Sequence, residues 1–142
     1  IYRCDWSSDV CSSDLTRLKF SSEIYDRSIV KCLTSIHDLI LCIFRNSPLT
    51  SEDHEQMQSI LKICGLFAIS HEMLQNVLIE PDTPIANLES IEQMKFIELG
   101  ATLGAFYLDT DYPSVNLEKD LHLVNTILHT DVNQKQILQS IL

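Results

Sequence analysis

Apolar side chains recur along this chain at spacings of three and four residues, and that period predicts helices rather than strands. From about Ser22 to Arg45, Leu33, Ile36, Ile40 and Phe44 form one stripe, widened by Ile29, Cys32, Leu39 and Ile43. A helix apolar over so much of its circumference needs cover on more than one side. Asn46, Ser47 and Pro48 end it. Thr50, Ser51, Glu52 and Asp53 supply the next start, because a hydroxyl satisfies an orphan N–H and acids suit the first turn. That segment carries Met57, Ile60, Leu61, Cys64 and Phe67, and it bends near Gly65 or restarts at Ser70. A shorter helix follows from Glu72 to Ile79, after which Pro81 and Pro84 forbid continuation. Asn87 to Leu108 reads as a long helix burying Leu88, Ile91, Phe96, Leu99, Leu103 and Phe106. Within it Gly100, Ala101, Gly104 and Ala105 form a ridge of small residues for close helix contact. Asn116 caps a helix holding Leu117, Leu121, Val124 and Leu128, and Asp131 caps a last one reaching Leu142.

Helices joined by a few residues pack as antiparallel neighbours, so the expected fold is all-α, a run of antiparallel helical hairpins. Over Ser22 to Leu142 this architecture resembles a HEAT or armadillo-type α-solenoid, with no diagnostic repeat motif to anchor it. A closed helical bundle is the alternative.

The first fifteen residues read differently. Asp5 to Leu15 contains Ser-Ser-Asp twice, holds Cys11, and lacks any apolar period. Back-translated, the segment resembles the constant part of a short-read sequencing adapter. The implied domain organisation is a disordered, artefactual, non-native leader over 1–15 and a helical repeat-like fragment over 16–142, truncated at both ends.

Charge narrows the function classes. Residues 16–142 carry nine Lys or Arg against seventeen Asp or Glu, a difference of −8, and the cations are scattered singly. Nucleic-acid binding needs a clustered basic face, so it is not expected. The longest apolar run, Leu39 to Phe44, is far shorter than a membrane span. Cys32, Cys42 and Cys64 lie in apolar stretches, which suits buried thiols in a reducing, intracellular and cytoplasmic setting.

Candidate chemistry is sparse. His71-Glu72 begins like a zinc-protease helix, yet Gln75 stands where the second histidine belongs. Asp109 and Asp111 begin like a calcium loop that Pro113 and Ser114 break. His122 and His129 share one helix face without a third ligand, His37 reads as a core-edge residue, and Cys42 lacks an activating neighbour. Three glycines leave little material for a phosphate loop. No catalytic, cofactor-binding or metal residue is assigned, and no cofactor is expected.

The function expected on these grounds is a non-enzymatic scaffold or adaptor segment of a larger helical-repeat protein. Its partners would be other proteins, basic segments among them, and the neighbouring repeats of the same chain. The alternative is an accessory or regulatory helical region of a large enzyme whose catalytic part lies elsewhere.

Overall fold

A β-sheet, not a run of helices, forms the frame of the unit that ends at Asp109. A computed structural model describes residues 11–47, 54–109, 113, 115 and 118–141, without the side chains of 54–56 and 119. Five strands form one mixed sheet: β1 (Cys11–Arg17), β2 (Lys31–Thr34), β3 (Ile40–Phe44), β4 (Ile60–Ile69) and β5 (Leu103–Tyr107). Their order is β3-β2-β4-β1-β5, with β1 and β5 parallel and every other pair antiparallel. Six helices accompany them: α1 (His54–Ser59), α2 (His71–Ile79), α3 (Pro84–Glu89), α4 (Glu92–Glu98), α5 (Glu118–Thr130) and α6 (Val132–Ile141). Residues up to Asp109 make one compact unit, and those from Thr110 make another.

Cys11 and Leu15 on β1, Leu61, Ile63, Phe67 and Ile69 on β4, and Leu103 and Ala105 on β5 all join one core cluster. Alternate residues of a strand share a face, so these spacings build one apolar surface. Ile91 and α4's Met94 and Phe96 pack there, and Phe96 meets Phe67 edge-on with ring centroids 5.1 Å apart. A second cluster, Ile24, Phe44 and Ile60, is joined by Leu33 and Met57.

β4 carries a bulge opposite β1, where the register shifts between Ser13 and Leu15. Gly65, at φ +120°, supplies a backbone conformation that L side chains rarely adopt. The buried Asp14 holds the bulge, its Oδ1 accepting the N–H groups of Gly65 and Leu66, each at 2.8 Å. The outer strands also meet: Leu39 bridges Gly104, and the Ala105 N–H donates to the Asp38 carbonyl at 2.8 Å. The sheet therefore curls until its two sides touch.

These observations correct the all-α expectation in both its solenoid and its closed-bundle form. The span from Ser22 to Arg45 is a short 3-10 turn at Ser21–Ile24 followed by the β2–β3 hairpin. Its four-residue stripe arises because Leu33, Ile40 and Phe44 fall on the two strands of the hairpin while Ile36 lies exposed in the turn between them. The expected helix through Ile60 and Phe67 is strand β4, and its Thr50–Asp53 start lies outside the described residues. The expected helix from Asn87 to Leu108 breaks into α3, α4 and β5. Ser90 ends α3 in the left-handed region (φ 53°), and Gly100 (φ 83°) follows the end of α4. The small-residue ridge is thus a helix stop followed by a strand, with Gly104 lying against Cys11 and Ser12.

The adapter resemblance is corrected as well. Cys11 to Leu15, expected to pack nowhere, lie in β1 between β4 and β5, with Leu15 fully buried. Residues 1–10 lie outside the described residues.

α2, α5 and α6 coincide with sequence expectation. Ser70 caps α2 by accepting the Met73 N–H at 3.2 Å, and Asp131 caps α6 by accepting the Gln134 N–H at 2.9 Å. In the second unit α5 and α6 form a helical hairpin, in which Pro113, Val124, Ile127, Leu128 and Gln134 line a small cavity of about 110 Å³. Among the described residues, no helix is long and apolar enough to cross a membrane.

Candidate functional site

Cations in an acidic chain are informative where the fold immobilises them. Lys31, the first residue of β2, is fully buried. Its Nζ donates to the carbonyls of Asp26 (2.6 Å), Ile29 (2.9 Å) and Glu23 (3.3 Å). Three acceptors match the three donors of an ammonium, so the group is satisfied and pins the 23–29 segment. Burial pulls its pKa below the usual lysine range, with Asp26 and Glu23 opposing and Arg45 assisting.

Arg45, which follows β3, ties that segment to the α3–α4 junction. Its backbone N–H donates to Glu89 Oε2 at 2.9 Å and its Nε to the Glu89 carbonyl at 2.8 Å. Nη1 donates to the Arg27 carbonyl and Nη2 to the Ser90 carbonyl, both at 3.1 Å. A guanidinium has five N–H groups, so two remain uncommitted among the described residues. Its plane is fixed by three carbonyls from two segments, and such a preset fork matches a carboxylate or phosphate. One turn further on, Gln93 of α4 donates from Nε2 to the buried Ser13 Oγ on β1 at 3.2 Å. Its amide oxygen remains as an acceptor. Arg45, Glu89 and Ser90 thus make a polar corner where the chain leaving β3 meets the α3–α4 junction.

A concavity of this unit lies elsewhere. A groove of about 400 Å³ is lined by Met73, Val77 and Leu99 with Asn76, Glu80 and Thr102. Its charged lining side chain is Glu80, so it disfavours anions.

Sequence reasoning assigned no site, and the residues it weighed do not converge. His71 and Glu72 are exposed at the start of α2, and His37 sits in the β2–β3 turn. His122 and His129 are exposed on α5, where His129 Nδ1 lies 2.7 Å from the Asn125 carbonyl. Asp109 is exposed, and Asp111 lies outside the described residues. Cys42 is half-buried on β3, and burial raises its thiol pKa, countered by a backbone hydrogen bond from Leu33. Among the described residues, no three His, Cys, Asp or Glu side chains gather to hold a metal ion. Arg45 and Gln93 were missed because neither stands in a recognisable motif. The available signal was an arginine closing a β-branched apolar run.

A known structure shares this architecture. A CMP:2-keto-3-deoxy-manno-octonic acid synthetase complexed with CTP superimposes with a TM-score of 0.78, at 20% identity, over 90% of this chain and 52% of that one. The two share a fold. Among curated proteins, the 3-deoxy-manno-octulosonate cytidylyltransferase of Chlorobium limicola is 31% identical over 107 residues, 75% of this chain and 43% of that protein. The enzyme of the same name from Chlamydia caviae is 27% identical over 76% of this chain and 42% of its own length. The chain spans less than half the length of these curated relatives. No family model matches it.

These matches overturn the reading of the chain as a non-enzymatic scaffold with protein partners. The relatives carry an enzyme's name, and the structural neighbour holds a nucleotide. They also overturn the solenoid and adapter resemblances, since the likeness extends over most of the chain through a mixed α/β fold. An accessory helical region of a large enzyme is compatible in part with this partial span, but the α/β fold does not favour it.

Proposed function

We propose that this chain is part of an intracellular cytidylyltransferase that joins the cytidylyl group of CTP to 3-deoxy-manno-octulosonate. The observation that carries this reading is the 31% identity to the Chlorobium limicola enzyme over three quarters of the chain. The fold shared with a CTP-bound synthetase supports it. An intracellular setting follows from the use of CTP, and the unbridged thiols of Cys11, Cys32 and Cys42 agree with it.

Within the reaction this chain is assigned the sugar acid. It offers little glycine for a phosphate cradle and carries a net charge of −10, which disfavours a triphosphate except where a cation is fixed. The Arg45 guanidinium supplies such a point, with two N–H groups left to meet a carboxylate. A sugar acid held there by its carboxylate presents a hydroxyl oxygen to the α-phosphorus of CTP. Formation of the new P–O bond expels pyrophosphate, and the hydroxyl proton passes to solvent.

The test is a coupled pyrophosphate assay on the protein expressed from its gene. Release is expected only when CTP and 3-deoxy-manno-octulosonate are both present, and Arg45→Lys is expected to raise the KM for the sugar acid about tenfold while leaving that for CTP unchanged. Absence of release with both substrates, or equal release with neutral sugars, overturns the reading.

A further inference from the structure

The groove between the C-terminal ends of α2 and α4 has a charge character opposite to that of the Arg45 corner. Met73 and Val77 of α2 and Leu99 beyond α4 are its apolar lining, and Asn76, Glu80 and Thr102 are its polar lining. α2 is nine residues long, has no basic residue in its last turn, and ends at Glu80, whose backbone is extended. The terminal carbonyls of a helix have no intrahelical partners and carry the negative end of its dipole. α4 differs, because the N–H groups of Gly100 and Ala101 return to the carbonyls of Ile97 and Phe96 at 3.0 and 2.9 Å. Lys95 already meets the carbonyl at the end of α2, so the electronegative character of the groove comes from the Glu80 carboxylate, which has no bonding partner among the described residues.

The chain itself demonstrates what this helix end attracts. Lys95 places its ammonium 2.7 Å from the Glu80 carbonyl and 3.9 Å from Asp82, on a side chain that does not line the groove. No Lys, Arg or His lines the groove itself. We propose that this groove binds an organic ammonium ion on an aliphatic stem, with the ammonium at Glu80 and the Asn76 and Thr102 oxygens and the methylenes against Met73, Val77 and Leu99. A single carboxylate is too few hard ligands for a calcium or magnesium ion, and the apolar walls offer such an ion nothing. An aliphatic amine uses both parts of the lining. The site is separate from the Arg45 corner, and the inference does not rest on the sugar-acid reading.

The experiment is a titration of the ¹⁵N-labelled chain with 1,4-diaminobutane, followed by amide shifts, with 1,4-butanediol and sodium chloride of matched ionic strength as controls. Saturable shifts are expected at Asn76, Gly100 and Thr102 with the diamine and with neither control. Glu80→Gln, a change at an exposed side chain, is expected to weaken binding about fivefold while leaving the remaining resonances in place. Shifts that never saturate, that appear equally with sodium chloride, or that persist undiminished in Glu80→Gln overturn the proposal. So does an absence of shift at these three amides.

Discussion

Arg45 and Glu89 hold each other at two points, the Arg45 backbone N–H on the Glu89 carboxylate at 2.9 Å and the Arg45 Nε on the Glu89 carbonyl at 2.8 Å. One contact fixes where the chain leaves β3, and the other fixes the plane of the guanidinium. Replacing Arg45 by Ala strands carbonyls at Arg27, Glu89 and Ser90 that the fold has turned toward it. We expect a loss of about 2 kcal/mol in urea unfolding, the scale for unmet acceptors at a half-buried position. Arg45→Lys should recover part of the stability, because an ammonium reaches fewer of these carbonyls in one plane. A loss under 0.5 kcal/mol for Arg45→Ala, on the scale of an ordinary surface change, would refute the structural role.

Lys31 makes a sharper case, since its ammonium is fully enclosed and each proton faces a carbonyl. Lys31→Met keeps the length and the apolar stem but leaves three acceptors without a donor. The expected destabilisation is about 3 kcal/mol, larger than that of Arg45→Ala because less water can enter. Hydrogen exchange should then accelerate at Tyr25, Asp26 and Ile29, whose N–H groups bond within the pinned segment. Unchanged exchange there would separate Lys31 from that loop.

Ser90 stands in the left-handed region at φ 53°, exposed, at the end of α3. A side chain is strained in that conformation and glycine is not, so Ser90→Gly is expected to raise stability by about 0.5 kcal/mol. Ser90→Val, β-branched at the same angle, should lower it by more than 1 kcal/mol. Thermal melts of the two variants check the sign, and an equal effect would show that backbone strain does not govern this position.

Burial raises the Cys32 thiol to about 12 from its ordinary value of 9.0, with the nearby Cys42 and Cys64 adding to the rise. The folded form therefore keeps its proton where the unfolded form loses it. The resulting stability is fully present below pH 9 and is lost as pH rises from 9 toward 12, at up to about 1.4 kcal/mol per pH unit. Cys32→Ala should be less stable at pH 7 through the void it leaves, and it should decline less steeply between pH 9 and 10.5. Parallel slopes for the two proteins in urea unfolding would contradict this.

How much of this was legible in the sequence depended on whether each element announced its own ends. Ser70 before α2 and Asp131 before α6 are capping residues followed by three-and-four spacing, and both helices were readable. The β2–β3 hairpin was not. Its turn, Ser35 to Leu39, has no glycine, and Asp38 takes the positive φ of 56° that would ordinarily mark the turn by residue type. Ser90 disguises the end of α3 in the same way. Gly100 did mark a helix end, but Ala101, Gly104 and Ala105 beside it gave the appearance of a packing ridge. Strand β4 follows α1 without a break, so an apolar stretch from Met57 to Phe67 carried two periods that blurred into one. The Arg45 corner depended on those missed strands. Arg45 and Glu89 are 44 residues apart, Ser13 and Gln93 are 80 apart, and only the folded sheet places each pair together.

The meeting of Leu39 with Gly104 has a consequence for the behaviour of the molecule in a crowded solution. An outer strand with unused N–H and C=O groups is a template on which another chain can add itself, the first step toward aggregates. At this level the turn before β3 and strand β5 bond to each other, so a stray peptide finds these positions taken. One point on the rim is thus withheld from strangers.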